Sequence, residues 1–356
     1  MNIVSAWFRR LMTDQQAVVL LVLLVASLTV VLVMGEMLAP VLAGLVIAYL
    51  LEGLVGFLEN HRMPRMLAVI LVFTGFLTFV LVGVIWLLPI LSRQLTQLVQ
   101  ELPNMLIKGQ ELMMQLPQQY PAIVSEAQVV DLITSFKNEI GNLGQFFLSW
   151  SLASVLGFIT IAIYLFLVPL LVFFFLKDKD HILTWFRSYL PQDYTLSRQV
   201  WHEVDLQMGN YVRGKFWEII IVWSATFITF TLMKLQFAML LGLMVGLSVI
   251  IPYIGAVVVT VPVALVAFFQ WGWGSDFMYL MIAYAIIQAI DGNVLVPLLF
   301  SEVVDLHPIA IIVAVLVFGG LWGFWGVFFA IPLATVVQAV LKAWPRPQDE
   351  QPALPA

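Results

Sequence analysis

The sequence predicts an all-helical protein that threads a membrane several times, a polytopic integral membrane protein with about eight membrane segments. Three observations predict it. Hydrophobic residues make up 62% of the 356 residues and charged ones only 10%, whereas a globular chain is roughly half apolar and about a quarter charged. The apolar residues come in runs of about 20 or more, enough for a helix to cross a hydrocarbon core. Sixteen basic and twenty-one acidic side chains are too few to coat a soluble body of this size. The net charge of −5 argues against a nucleic-acid partner, which selects basic surfaces. With no cysteine in the chain, disulfide scaffolds, thiol catalysis and cysteine-based metal sites are excluded.

Residues 1–90 hold three predicted spans, Ala17–Met34, Leu38–Leu58 and Met66–Ile90. The first follows a basic pair, Arg9-Arg10, but its apolar run is too long for a signal peptide and no small-residue cleavage site follows. Residues 91–149 form an amphipathic insertion. Leu91, Leu95, Leu98 and Leu102 recur at helical spacing, as do Ile133, Phe136, Ile140, Leu143 and Phe147. A fourth span occupies 150–176, and 177–215 is a helical linker with Val200, Val204, Met208 and Tyr211 along one stripe. The C-terminal transport region, 216–344, holds Phe216–Met233, Phe237–Phe269, Phe277–Phe300 and Pro308–Leu341. A short tail, 345–356, closes the chain.

Basic residues accumulate on the cytoplasmic side of a membrane. Arg9, Arg10, Arg62, Arg65, Lys177, Lys179, Arg187, Arg198, Arg213, Lys215, Lys342 and Arg346 all fall on one side if the N-terminus is inside. The 91–149 insertion then faces out, and both termini are cytoplasmic.

Two segments are too long to cross straight. Phe237–Phe269 would make a helix of roughly 50 Å against a core of about 30 Å. Pro252-Tyr253-Ile254-Gly255 supplies the break, because proline removes a backbone donor and glycine tolerates unwound geometry. Pro308–Leu341 has the same excess, with Gly319, Gly320, Gly323, Gly326 and then Pro332. Tyr253-Ile254-Gly255 leads to Pro262-Val263-Ala264 much as Phe324-Trp325-Gly326 leads to Pro332-Leu333-Ala334. Paired, interrupted segments point to a transport site; Gly242…Gly246 and Gly319…Gly323 would equally serve close helix packing. Re-entrant hairpins and fully crossing kinked helices both satisfy the sequence, and re-entry is the favoured expectation. It puts Trp271–Ser275 outside and Ser301–Asp305 inside.

Gln288, Asp291 and Asn293 lie within an apolar run, with Pro297 after them. An ionised aspartate near mid-bilayer costs at least about 2.5–3.5 kcal/mol, so it lines a wet path, pairs with a cation or holds a proton. Asp291-Gly292-Asn293 also reads as a helix interruption. Glu52 is expected to snorkel to the interface, and Glu218 to meet Lys215 at i, i+3. No Walker loop, H-E-x-x-H or G-x-S-x-G is present, so neither an enzyme nor a cofactor is expected.

The run Gln288-Ala289-Ile290-Asp291-Gly292-Asn293-Val294-Leu295-Val296-Pro297 resembles the signature of the autoinducer-2 exporter family of membrane permeases. So do Leu306-His307-Pro308, the Gly326…Ile331-Pro332-Leu333-Ala334 run, Pro252-Tyr253-Ile254-Gly255 and Tyr211-Val212-Arg213-Gly214-Lys215. The likeness extends through Ala17–Trp344, and Gly319-Gly-Leu-Trp-Gly-Phe-Trp-Gly326 looks like one branch in particular. Many relatives carry glutamate where Asp291 stands, and a proline common in their second span is absent around Glu52-Gly53. The resemblance implies an inner-membrane homo-oligomer, with a pentamer as the expected count, that transports. Autoinducer-2 export and sodium/proton exchange have both been attached to the family.

Three functions follow as expectations. The first is a secondary permease that exports a small polar solute on an ion gradient. The others are a sodium/proton antiporter or channel-like cation pathway, and a non-transporting membrane scaffold. The expected substrate- or ion-binding residues are Asp291, Asn293, Gln288, Pro252, Gly255, Gly319, Gly320, Gly323 and Gly326, with lipid, solute and protons or sodium as partners.

Overall fold

The computed structural model describes residues 15–119, 130, 131, 134, 154–189, 195–300 and 306–343. Every regular element among them is helical, as the composition requires. Six of the helical stretches are long and apolar enough to cross a membrane.

The first two expected spans lie on one helix, α1 (Gln15–Asn60), with Pro40 inside it. Gly35-Glu36-Met37 separates two apolar runs but carries no turn chemistry, and a proline forfeits one backbone bond without having to end a helix. Forty-six residues extend about 69 Å, so Gln15 does not fold back beside Asn60 as two antiparallel spans would require. α2 (Arg65–Val82) continues through a π turn (Gly83–Leu87) into α3 (Leu88–Gln119). The third span and the first part of the insertion are therefore one rod. Leu98, Leu102 and Met105 turn its stripe onto the C-terminal core, while Leu95 stays exposed. The stripe Ile133–Phe147 lies outside the described residues.

α4 (Ser154–Lys177) packs on α1 and α2 through Val172, Leu176, Leu51, Val55 and Val69. α5 (Lys179–Arg187) follows it. At this end Arg65 donates to the Leu176 carbonyl at 2.8 Å. Glu52 Oε1 accepts from Lys179 at 2.9 Å and from Arg65 at 3.5 Å, the first residues of α5 and α2.

α6 (Thr195–Leu232) carries both the linker and the fifth span without interruption at 215–216. The chain then turns through Lys234 and Phe237, both at positive φ, into α7 (Ala238–Ser248) and α8 (Ile254–Trp271). Gly242 and Gly246 let α7 lie against α6, where an added Cβ would meet Phe227 at 3.1 Å and Trp223 at 2.6 Å. The packing reading of that glycine pair therefore holds. α7 and α8 form a hairpin whose two ends meet. Gln270 accepts from the Gln236 amide and donates to the Lys234 carbonyl, each at 2.8 Å. Gln94 of α3 accepts from Leu240, an amide in the first turn of α7 with no intrahelical partner.

α9 (Ser275–Ile290), a second π turn (Asp291–Leu295) and α10 (Val296–Phe300) run back along α6. Gln270 sits beside Lys234, whereas Phe300 packs on Tyr211 and Gly214; those two levels of α6 are about 30–35 Å apart. α11 (Pro308–Phe328) and α12 (Ala330–Ala343) make the second hairpin, with the chain leaving helical geometry at Gly323, φ 58° and ψ −136°.

The two hairpins cross their arms in the same way. A Cβ on Gly255 would sit 1.8 Å from the Ser248 carbonyl oxygen, and one on Gly326 would sit 1.8 Å from that of Phe318. Each glycine follows a residue at positive φ, Tyr253 in one hairpin and Gly323 in the other. The short likeness between the two breaks thus corresponds to one shared piece of geometry.

Candidate functional site at the meeting of two hairpins

The tips of the hairpins converge on one turn of α6. Ile251, at the first tip, packs on Ala314, Val315 and Ala330 of the second. Tyr211-Val212-Arg213-Gly214-Lys215 lies beneath them. Tyr211 is buried and donates to the Phe328 carbonyl at 2.9 Å. That carbonyl lacks its helical donor because the residue four positions on is Pro332, which has no N–H. Lys215, one turn along, donates to the Val249 carbonyl at 2.7 Å, where α7 ends. A cation at a helix C-terminus meets the negative end of its dipole. Gly214, between them, admits Phe300, whose ring would stand 2.7 Å from any Cβ there. One five-residue stretch therefore holds both broken segments and the end of α10.

Charge is concentrated here. Lys215 is 4% exposed, Glu218 2% and Asp291 8%. Lys215 Nζ donates to Glu218 Oε2 at 2.7 Å, the i, i+3 contact expected from the sequence, and lies 5.3 Å from the centre of the Phe300 ring. Asp291 stands on the π turn that packs against α6, within electrostatic reach of both Lys215 and Glu218. Its Oδ1 is buried and has no hydrogen-bond partner among the described residues. The cluster thus sets two carboxylates against one ammonium. Removing the lysine would strand a buried charge, a loss of about 3–5 kcal/mol in comparable pairs.

The other expected residues separate into groups. Pro252 and Gly255 form the first tip. Gly319 and Gly326 pack within the second, whereas Gly320 and Gly323 face open space. Gln288 donates to the Tyr284 hydroxyl at 3.0 Å, and Tyr284 meets Thr260 at 3.1 Å; this chain ties α9 to α8 rather than to the charged cluster. Asn293 is exposed and donates to its own helix, to Ala289 at 2.8 Å. Asp291-Gly292-Asn293 widens the helix by a π turn instead of breaking it, and such bulges are frequent at functional sites.

Sequence reading passed over Lys215, Glu218 and Tyr211 as site residues. A lysine and a glutamate one turn apart look self-sufficient, and their third partner is a backbone carbonyl 34 positions away. The available signal was the motif itself, a glycine wedged between a tyrosine and a lysine at i, i+4 at the mouth of an apolar run.

The family model described as AI-2E family transporter matches residues 21–346. The chain is 45% identical over 351 residues to PerM of Escherichia coli (strain K12), named as a permease, covering 99% of each chain. To YueF of Bacillus subtilis (strain 168), named as a transport protein, it is 28% identical over 89% of this chain and 88% of that one. To the AI-2 transport protein TqsA of Escherichia coli (strain K12) it is 24% identical over 91% of both.

Proposed function

This chain belongs to the AI-2E transporter family, and on that premise we propose that it is a secondary permease exporting a small polar solute, driven by an ion gradient. That it is a multi-pass membrane protein of a transport family is the ground on which the proposal stands. The observation that carries it is the buried cluster in which Lys215 faces both Glu218 and Asp291. Lys215 is already committed to Glu218 and to the Val249 carbonyl. A bare Asp291 carboxylate, buried with its Oδ1 unpartnered among the described residues, carries a desolvation cost, and a proton or a sodium ion removes that cost. The end of α7 adds the negative pole of a helix dipole at the same place, so the site favours a cation.

A small organic solute is the cargo class supported by TqsA, whose name specifies AI-2 transport. The same net-negative cluster favours a second reading, a sodium/proton exchanger or channel-like cation pathway in which the cation is itself the cargo. The proposal extends to the cell inner membrane, with the Arg65–Lys179 end cytoplasmic, and to a homo-oligomer, for which the resemblance implies a pentamer. The meeting of Gln270 with the α6–α7 turn supports re-entry of the first hairpin.

Sealed proteoliposomes test it. Wild type should move solute only when a sodium or proton gradient is imposed. Asp291→Asn, which keeps size and hydrogen bonding, should abolish gradient-driven movement while insertion and assembly persist, and Asp291→Glu should retain part of it. Full transport by Asp291→Asn with an unchanged pH profile would remove Asp291 from the mechanism. Cation flux without any organic solute would favour the exchanger.

A further inference from the structure

The two hairpins share their crossing geometry but not their fastening. Tyr211 holds the second hairpin with a neutral hydroxyl on the Phe328 carbonyl. Lys215 holds the first with an ammonium that Glu218 and Asp291 also attract. Both side chains are buried, at 1% and 4% exposure, and they stand one turn apart on α6, a single unbroken helix. One fastening is indifferent to charge and the other is part of a charged cluster.

We propose that Lys215 is a positioning residue that couples cation occupancy of the Asp291–Glu218 carboxylates to the tip of the α7–α8 hairpin, while the α11–α12 hairpin stays fixed to α6 through Tyr211. The inference rests on the cation-coupled reading given above. A sodium ion that settles on the carboxylates competes with the ammonium for them and, as a like charge, displaces it; a proton neutralises a carboxylate and removes its hold on the ammonium. The Val249 carbonyl then loses its donor, and the dipole end of α7 loses its counter-charge. Among the described residues no other side chain replaces it: α7 and α10 contain no titratable residue, and the groups set against Lys215 are Glu218, Asp291 and the Phe300 ring. The first tip is entered and left through the non-helical stretch Val249–Tyr253. The Phe328 carbonyl keeps Tyr211 whatever occupies the carboxylates, because a phenol competes for no ion there. Cation binding therefore moves one hairpin relative to the other, at the place where Ile251 touches the second tip.

The chain has no cysteine, so spin-label pairs can be introduced without further change. Trp217→Cys with Tyr253→Cys reports the first tip against α6; Trp217→Cys with Phe324→Cys reports the second. All three native side chains are exposed. Distances are measured by pulsed electron resonance on the full chain in liposomes, with labelled subunits diluted by unlabelled ones, in potassium and in sodium and at two pH values. The 217–253 pair should gain a second, longer distance in the medium that drives transport, and the 217–324 pair should keep one distance throughout. In Lys215→Met the 217–253 pair should show the longer distance in every medium, and Lys215→Arg should restore the response in part. Because Lys215→Met strands Glu218 and threatens folding, Lys215→Met with Glu218→Gln is the companion variant and should give the same loss of response. Equal movement of both pairs, or a response that survives both variants, overturns the proposal. Wild-type solute uptake in the same liposomes separates the two levels. Gradient-driven uptake with unmoved labels refutes the role of Lys215 alone, whereas uptake indifferent to any gradient refutes the reading beneath it.

Discussion

Gly255 and Gly326 are the positions where the chain tolerates least. An alanine Cβ at either would stand 1.8 Å from a backbone carbonyl oxygen, and contacts under 3.0 Å essentially never occur. The arms must separate by at least about 1.2 Å, and the obstacle is main chain, which cannot rotate aside as a side chain would. Overpacking a well-filled interior typically costs about 1–3 kcal/mol, and a clash with rigid backbone belongs at or above the top of that range. Gly320 is the internal control. It lies in the same segment, and an added Cβ there meets nothing within 4 Å, so Gly320→Ala should be neutral or should stabilise the helix by about 0.5–1 kcal/mol. The measurement is the temperature at which the detergent-solubilised protein loses its monodisperse peak. Gly255→Ala and Gly326→Ala should each melt about 5 °C or more below wild type, with Gly320→Ala within about a degree of it or above. Equal melting of all three would mean that the arms do not cross as closely as described, and with it the shared geometry of the two hairpins would fall.

Other perturbations probe the same arrangement. Tyr211→Phe removes the donor to the Phe328 carbonyl and nothing else; it should cost about 1–3 kcal/mol, the penalty for an unsatisfied buried acceptor, read from the same melting curve. Lys215→Met alone should destabilise by about 3–5 kcal/mol and the pair Lys215→Met with Glu218→Gln by much less, a double-mutant comparison that a solvent-exposed ion pair would not reproduce. Ser275→Cys should be modified by an impermeant maleimide from outside the cell and protected from inside; labelling only from the cytoplasm would rule out re-entry of the first hairpin.

How much of this could be read from the sequence depends on whether the cause is local. Gly255, Pro252 and Gly326 mark their breaks because glycine and proline act on their own backbone. The Lys215–Glu218 contact was legible because residues three apart on a helix share a face. The single helix through Gly35 was not, since an interruption in hydropathy does not by itself stop a hydrogen-bonded ladder that no residue actively breaks. Nor could Asp291 be linked to α6, because a π turn and a packing face seventy residues upstream leave no periodic trace. Gln288 and Asn293 were grouped with Asp291 by proximity in sequence, whereas helical phase sends Gln288 toward Tyr284 and Asn293 to the surface.

The π turn at Asp291–Leu295 has one more consequence. Such a turn holds one residue beyond the α-helical count, and each residue of an α-helix advances the face by about 100°. α9 and α10 are thus out of phase, like two lengths of screw joined with an extra thread. Phe300 lies sixteen residues after Tyr284, a step that an unbroken helix would turn by about 160°; the extra residue brings both onto α6, Tyr284 against Phe230 and Phe300 against Gly214. Deleting Gly292, which faces open space, would remove the extra residue and leave α9 and α10 facing as they do, so what the bulge alone contributes is the placement of Asp291, the buried carboxylate within reach of Lys215.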